Sequence, residues 1–316
     1  MKKHPESRLT IKRINTSSYF APGFNQNESD ALEDYVDMLE ADSSESADIL
    51  ITNTHVNFDL LSDEQCSKLK LIVHANSGYD NFPVDFVKGT QAPIVIGSTI
   101  RAQAVAQYII TALMNRYSSL PVQKEWDYDR KWNRTLISEL KVTVIGFGHI
   151  GKILNSFLAP IVKELVIYDP FENLTQINHK GSDVVILACG LNSKSRNMID
   201  KNFLNVLKEN ATIINAARGE LVVTSDLVNF LTANDDAFAI LDVFEKEPNS
   251  FSSFRSLKNV ITTSHIAGVF KNIDQHTIDF EVEVVRDFLE LTDFDFKNKY
   301  KNKILQNKLR PEIGLI

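Results

Sequence analysis

Ten consecutive residues, Val142-Thr-Val-Ile-Gly-Phe-Gly-His-Ile-Gly151, constrain what this chain can fold into more than any other feature. A β-branched run leads into Gly-x-Gly-x-x-Gly. Ile150, Ile153, Leu154, Phe157 and Leu158 then recur at helical spacing until Pro160. Strand, glycine turn and amphipathic helix in that order open a phosphate-binding βαβ unit. Gly146 permits the tight turn, Gly148 lets the backbone approach a pyrophosphate, and Gly151 lets helix and strand pack closely. The start of the helix, at His149 and Ile150, offers N–H groups to the phosphates, with the His149 side chain pointing to solvent. The next strand ends at Asp169, 18 residues after Gly151. That is close to the roughly 20 expected of the acid that accepts the 2′-OH of NAD and repels the 2′-phosphate of NADP. The competing reading is a glycine turn in a non-binding α/β unit, with Asp169 as a helix cap.

The rest of the chain supplies the surroundings such a unit needs. Its 316 residues suit two domains. Short apolar strands alternate with helical patterns throughout, which predicts α/β architecture with parallel sheets. The first strand series is Leu9 to Ile14, Asp48 to Thr52, Leu71 to His74 and Pro93 to Gly97, with helices over Ser29 to Leu39 and Ser62 to Leu69. Ser62 and Gln65 form a capping-box pattern. A long helix is expected over Ala102 to Leu120. A second series follows: Lys141 to Ile145, Leu165 to Tyr168, Asp183 to Ala188, Ala211 to Asn215, Phe238 to Leu241 and Val260 to Thr263. Six strands with intervening helices suit a doubly wound sheet. A last helix, about Ile273 to Leu291, precedes a Lys- and Asn-rich tail that reads as a surface extension.

Composition removes several function classes. With 34 basic and 41 acidic residues the net charge is −7, which disfavours a phosphate-backbone or polybasic membrane surface, so neither nucleic acid nor membrane is an expected partner. The two cysteines, Cys66 and Cys189, form no CxxC pair, so neither a disulfide framework nor a structural zinc site is expected, and no metal is assigned. No apolar run approaches the ~20 residues of a membrane helix, and the N-terminus lacks the apolar stretch of a secretory signal. The expectation is a soluble, cytoplasmic protein.

Three further residues carry chemistry. Arg218 follows a strand in Ile214-Asn-Ala-Ala-Arg-Gly-Glu220, Glu247 follows another in Leu241-Asp-Val-Phe-Glu-Lys-Glu-Pro248, and His265 follows a third in Ser264-His-Ile-Ala-Gly268. Ligands of open α/β sheets bind beyond the carboxyl ends of strands, so a cation, an acid and an imidazole arrive at the edge where a nicotinamide would lie. Hydride transfer to a 2-oxo acid uses this set. A planar guanidinium grips the carboxylate and ketone, an imidazole titrating near neutrality protonates the carbonyl oxygen, and a carboxylate beside it favours imidazolium. Singly, each residue also has an ordinary structural reading: an ion pair, a helix-start acid, a turn.

From Ala47 to Gly268 the sequence resembles the D-isomer-specific 2-hydroxyacid dehydrogenase family. The matching segments are the glycine turn, Asn-x-x-Arg-Gly, Leu-Asp-Val-Phe-x-x-Glu-Pro, His-x-x-Gly, and Asn76-Ser-Gly-Tyr-Asp-Asn81. The resemblance implies a Rossmann dinucleotide-binding domain inserted in a flavodoxin-like substrate domain. The insert is placed at 103–271, with 1–102 as the first part of the substrate domain and 272–316 as its returning helix and tail. It further implies an NAD-dependent dehydrogenase of a small D-2-hydroxy acid. In it Ser77 and Gly78 present amides to the substrate carboxylate, Arg218 binds and polarises the substrate, and His265 is the acid/base paired to Glu247. Asp242 orients the nicotinamide carboxamide with backbone near Ala217, and the cofactor surface extends to Gly268. Helices near 103–120 and 272–291 commonly form a homodimer interface in the family.

The chain departs from the family pattern at Gln107 (usually Glu), at Ser264 (usually Pro) and at Gly190-Leu-Asn192 (usually Pro-Leu-Thr). None of these removes a catalytic group. Arg101 is left open between contact with an acidic substrate and a surface position, and His74 reads as a satisfied core histidine. Two alternatives stand beside the dehydrogenase: an NAD(H)-sensing interaction protein on the same scaffold, and a dehydrogenase of the formate or phosphite type.

Overall fold

The computed structural model describes residues 8–41, 43–58, 61–175, 178–310 and 314–315. These form two compact units, one drawn from Met1–Arg101 with Val269–Ile316, the other from Ala102–Gly268.

Unit 1 runs β1 (Thr10–Arg13), α1 (Phe24–Leu32), β2 (Asp37–Leu39), β3 (Ile49–Thr52), α2 (Asp63–Lys68), β4 (Leu71–His74), α3 (Val84–Gly89) and β5 (Ile94–Ile96). The sheet is parallel in the order β2-β1-β3-β4-β5. Every side chain of β3, β4 and β5 is buried, as expected of a parallel sheet covered on both faces. The period of two sorts them between two cores. Ile49, Ile51, Leu71, Val73 and Val95 enter one; Leu50, Ile72, Ile94 and Ile96 enter the other. The capping box at α2 is formed: Gln65 N donates to Ser62 Oγ at 3.2 Å and Ser62 N to Gln65 Oε1 at 2.8 Å.

Three expectations need correction here. The helix expected over Ser29 to Leu39 is α1, which starts earlier, after Gly23, and stops at Leu32. Its intended end is strand β2, paired with β1 through Thr10↔Asp37 and Lys12↔Leu39. Pairing on a sheet edge has overridden a local helical pattern. The C-terminal segment is no surface extension. After Thr292 caps it, α9 (Asp293–Lys299), which follows α8 (Ile273–Glu290), buries Phe296, and Tyr300 just past its end is buried with it in the first core of unit 1; Leu305 enters the second. Phe296 and Tyr300 stand four apart and share one helical face, so these two aromatics dock a segment whose remaining residues, Phe294 apart, are polar. Arg101 is neither exposed nor open. It is 8% exposed, with Nη1 donating to Ala75 O and Nη2 to Tyr19 OH, both at 2.7 Å.

Unit 1 also encloses an ionic cluster. Arg13 Nε donates to both oxygens of Glu28 at 2.7–2.8 Å, and Nη2 reaches Glu281 Oε1 of α8 at 2.5 Å. All three side chains are buried, and among the described residues Glu281 Oε2 accepts no hydrogen bond. Burial, with the adjacent Glu28 charge, pushes the Glu281 carboxyl well above its ordinary range despite Arg13.

Unit 2 starts with α4 (Ala102–Ser118) and continues β6 (Lys141–Ile145), α5 (His149–Leu158), β7 (Glu164–Tyr168), β8 (Val184–Leu187), α6 (Lys201–Leu204), β9 (Thr212–Asn215), α7 (Thr224–Ala233), β10 (Phe238–Leu241) and β11 (Val260–Thr262). The six strands are parallel in the order β11-β10-β9-β8-β6-β7. Alternate residues again divide between two faces. Val142, Val144, Ile186, Ile214 and Ile240 pack with α4 and α5; Ile145, Val185, Leu187, Ile213, Ala239 and Leu241 pack with α6 and α7. The order reverses direction at β6, so the crevice beyond its carboxyl end is the switch point where such sheets bind ligands. No helix among the described residues is long and apolar enough to cross a membrane.

Candidate active site

The glycine turn lies at that switch point. Gly146 has φ +108°, closed to ordinary L residues, and a Cβ there would meet Ala188 O at 2.5 Å. Gly148 is the N-cap of α5, and a Cβ on it would meet no described atom within 4 Å beyond its own chain neighbours. Its small size is therefore not required by the chain's own packing, which leaves backbone open to a ligand at the helix N-terminus. A Cβ on Gly151 would stand 2.1 Å from Gly146 O, so this glycine closes the turn upon itself. His149 is exposed, while Ile150 leans into the core under α5.

Asp169 does two things. Its Oδ1 caps the following short turn, accepting from Phe171 N at 2.9 Å, and its Oδ2 accepts from Phe147 N of the glycine turn at 2.7 Å. The cap reading and the ribose reading are compatible, because a carboxylate has about four acceptor positions and two are used. A turn of open backbone, a helix start and a carboxylate with spare acceptors fit a dinucleotide's pyrophosphate and ribose.

The neighbouring strands β9, β10 and β11 deliver the polar constellation. Three residues past β9 comes Arg218, whose Nη1 donates to Ala217 O at 2.7 Å; Asn215 steadies this segment by donating to Arg218 O at 2.8 Å and accepting from Ala217 N at 3.1 Å. The loop after β10 bends so that Glu247 Oε1 accepts from Phe244 N at 2.9 Å. After β11 comes His265, whose Nδ1 lies 2.9 Å from Glu247 Oε2. The hydrogen bond to Glu247 raises the His265 pKa above its ordinary value, against burial; the Glu247 and Asp242 charges assist and Arg218 opposes. Burial alone would raise the Glu247 carboxyl. The bonds from His265 and Phe244 N, with the charges of His265 and Arg218, outweigh it and hold the carboxyl low. Both shifts favour the imidazolium–carboxylate form of the pair, in the field of the Arg218 guanidinium.

Asp242 is 1% exposed, and its carboxylate accepts from Thr263 Oγ1 at 2.5 Å and from Ile266 N and Ala267 N at 2.8 Å. Its main observed work is to hold the loop that carries His265 and ends at Gly268. One acceptor position on Oδ2 is left over. The departure at Gly190-Leu-Asn192 is braced by Ser195, whose hydroxyl donates to Gly190 O and accepts from Asn192 N, both at 2.8 Å. Gln107 is exposed on α4.

Ser77 and Gly78 belong to unit 1, in the loop after β4. His74 is fully buried and holds that loop: Nδ1 lies 2.9 Å from Thr52 Oγ1 and Nε2 2.7 Å from Gly78 O. Sequence reading placed His74 in the core but missed this task. It also missed Gly219. A Cβ there would sit 1.9 Å from the Phe244 carbonyl carbon, so the Arg218 segment lies directly on the peptide leading to Glu247. The only sequence signal was the glycine adjoining the arginine.

Residues 109–267 match the family described as D-isomer specific 2-hydroxyacid dehydrogenase, NAD binding domain. Erythronate-4-phosphate dehydrogenase of Wigglesworthia glossinidia brevipalpis is 30% identical over 232 residues, covering 70% of this chain and 57% of that one. Hydroxypyruvate reductase of Blautia hydrogenotrophica is 26% identical over 278 residues, covering 80% and 85%. The chain spans about half the length of several relatives, such as 45% of D-3-phosphoglycerate dehydrogenase from Methanocaldococcus jannaschii. Among solved structures, D-lactate dehydrogenase of Aquifex aeolicus, complexed with NAD and lactic acid, shares the fold with TM-score 0.71 at 18% identity, over 94% of this chain and 99% of that one.

Proposed function

The chain belongs to the D-isomer specific 2-hydroxyacid dehydrogenase family, and from that premise we propose that it is an NAD-dependent oxidoreductase interconverting a small 2-oxo acid and its D-2-hydroxy acid. One observation carries the reading: the 2.9 Å Glu247–His265 hydrogen bond, formed beside Arg218 at the carboxyl ends of three adjacent strands. Binding alone would need no tuned proton donor, so this pair favours turnover over a purely sensing role.

Gly146, Gly148, Gly151 and the N–H groups of His149 and Ile150 hold the pyrophosphate in this reading, and Asp169 takes the adenosine ribose. Ala217, Asp242 and Gly268 border the nicotinamide. When bound, the cofactor supplies or accepts the hydride. Arg218 binds the substrate carboxylate and draws charge onto the carbonyl oxygen with a planar fork that Lys lacks. In reduction the His265 imidazolium gives its Nε2 proton to that oxygen as the alcohol forms, and Glu247 keeps Nδ1 protonated and the ring oriented. In oxidation neutral His265 takes the alcohol proton. Within unit 1 by itself, the Ser77 and Gly78 amides are assigned as a carboxylate-binding loop.

The test is NADH oxidation with glyoxylate, pyruvate, hydroxypyruvate and phenylpyruvate, repeated with NADPH. Turnover of one of these with NADH preferred is expected. NAD(H) binding without turnover of any would replace the dehydrogenase by the sensing role. Formate or phosphite oxidation instead would move the assignment to that chemistry, which protonates no ketone. A homodimer and a cytoplasmic location complete the proposal. The dimer rests on the run after α4, where Val122 is 93% and Tyr128 87% exposed beside Leu120 and Trp126. A monomer mass by sedimentation would refute it.

A further inference from the structure

His265 is held in a costly conformation. Its φ of +55° lies in the left-handed region, which a residue with a Cβ occupies only when its surroundings enforce it. A proline just before it would stiffen the approach, but this chain has Ser264 there. Hydrogen bonds do the holding instead. His265 N donates to Asp242 O at 2.8 Å, and the buried Asp242 carboxylate receives Thr263 on one side of the turn and Ile266 and Ala267 on the other.

A second layer stands behind Asp242. An ionised carboxylate only accepts, so the single Thr263 hydroxyl proton is spent on it. The remaining contact of Thr263 Oγ1 is Tyr108 OH at 2.7 Å, where Tyr108 must therefore donate. Tyr108 is half-buried on α4, and burial raises its pKa, so it keeps the proton it donates. The bonds run one way, Tyr108 to Thr263 to Asp242, an arrangement in which each strengthens the next.

We propose that Tyr108 and Thr263 are positioning residues, which through Asp242 enforce the left-handed turn that aims His265 at Glu247. The proposal rests on the acid/base reading of His265 for its kinetic consequence, but the geometry has a readout of its own. The groups facing the imidazole in unit 2 are Glu247, Arg218 and Asp242. The Glu247 bond is the chief force raising its pKa, so a loosened turn lowers that pKa.

The experiment follows the His265 imidazole by NMR titration in the ligand-free protein, for wild type, Thr263→Val, Thr263→Ser and Tyr108→Phe. Thr263→Val keeps the shape and removes the hydroxyl. The His265 pKa should fall by about half a pH unit or more in it, fall less in Tyr108→Phe, and return in Thr263→Ser. With the fastest 2-oxo acid from the screen above, kcat should drop about tenfold in Thr263→Val, the kinetic equivalent of one hydrogen bond, with KM little changed. An unshifted titration in folded Thr263→Val, or no recovery in Thr263→Ser, overturns the proposal. Should Thr263→Val not fold, Tyr108→Phe decides by the same shift, and an unchanged His265 there overturns it. His265→Ala with full turnover would instead overturn the acid/base reading while leaving the titration result standing.

Discussion

Replacing Gly219 by alanine adds one methyl group at the seam between Arg218 and the loop of Glu247. The new Cβ would lie 1.9 Å from Phe244 C, 2.2 Å from Phe244 O and 2.3 Å from Glu245 N, all backbone atoms that no side-chain rotation can move aside. Opening the shortest contact from 1.9 Å to the 3.0 Å that real Cβ atoms respect takes a shift of about 1.1 Å. Phe244 N donates to Glu247 Oε1, and Glu247 Oε2 holds His265, so the shift is passed to the acid/base pair or taken up by Arg218. Either way the guanidinium and the pair separate. A displacement near 1 Å costs about 10²-fold in rate, and overpacking a buried site costs about 1–3 kcal/mol of stability. The assay is kcat/KM for the best 2-oxo acid alongside urea unfolding. Gly89→Ala is the control: that glycine closes α3 with nothing within 4 Å of its would-be Cβ, and activity should be unchanged. Gly219→Ala with kcat/KM within about threefold of wild type would show that the seam yields without moving the site, and the close-approach argument would fail.

Glu247→Gln removes the chief force raising the His265 pKa, so kcat/KM for reduction, which needs imidazolium, should begin its alkaline fall at lower pH, and oxidation should begin its rise there too; coincident profiles for variant and wild type would dissolve the pair. Glu281→Gln tests the ionic cluster of unit 1. Because the folded-state carboxyl titrates well above its unfolded value, the proton it holds favours folding fully below the ordinary carboxylate range, and this contribution is lost as pH rises toward the folded pKa. Wild-type stability to urea should therefore decline with pH above that range by up to about 1.4 kcal/mol per unit relative to Glu281→Gln, which mimics the protonated form. Parallel pH dependences for the two would mean that Glu281 is ionised in the fold.

Much of the fold was legible in one dimension because its signals are local. The short apolar runs became the ten strands named from sequence, since the central strands of a parallel sheet covered on both faces read as near-continuous apolar runs. Gly-x-Gly-x-x-Gly announced its turn because a φ of +108° and a 2.1 Å clash at a Cβ admit only glycine at Gly146 and Gly151. Arg218, Glu247 and His265 could be proposed together because each follows a strand, and strands of a parallel sheet end on one edge. Tertiary structure decided whatever depends on a partner distant in the chain. Asp37–Leu39 became a strand because β1 offered an open edge, and the polar C-terminal segment docked because the sheet of unit 1 had room for Phe296 and Tyr300. Asp242, Thr263 and Tyr108 are separated by up to 155 positions, yet they lie in contact behind His265. Nothing in the local sequence announces such a relay, because a hydrogen bond is set by where two atoms meet in space.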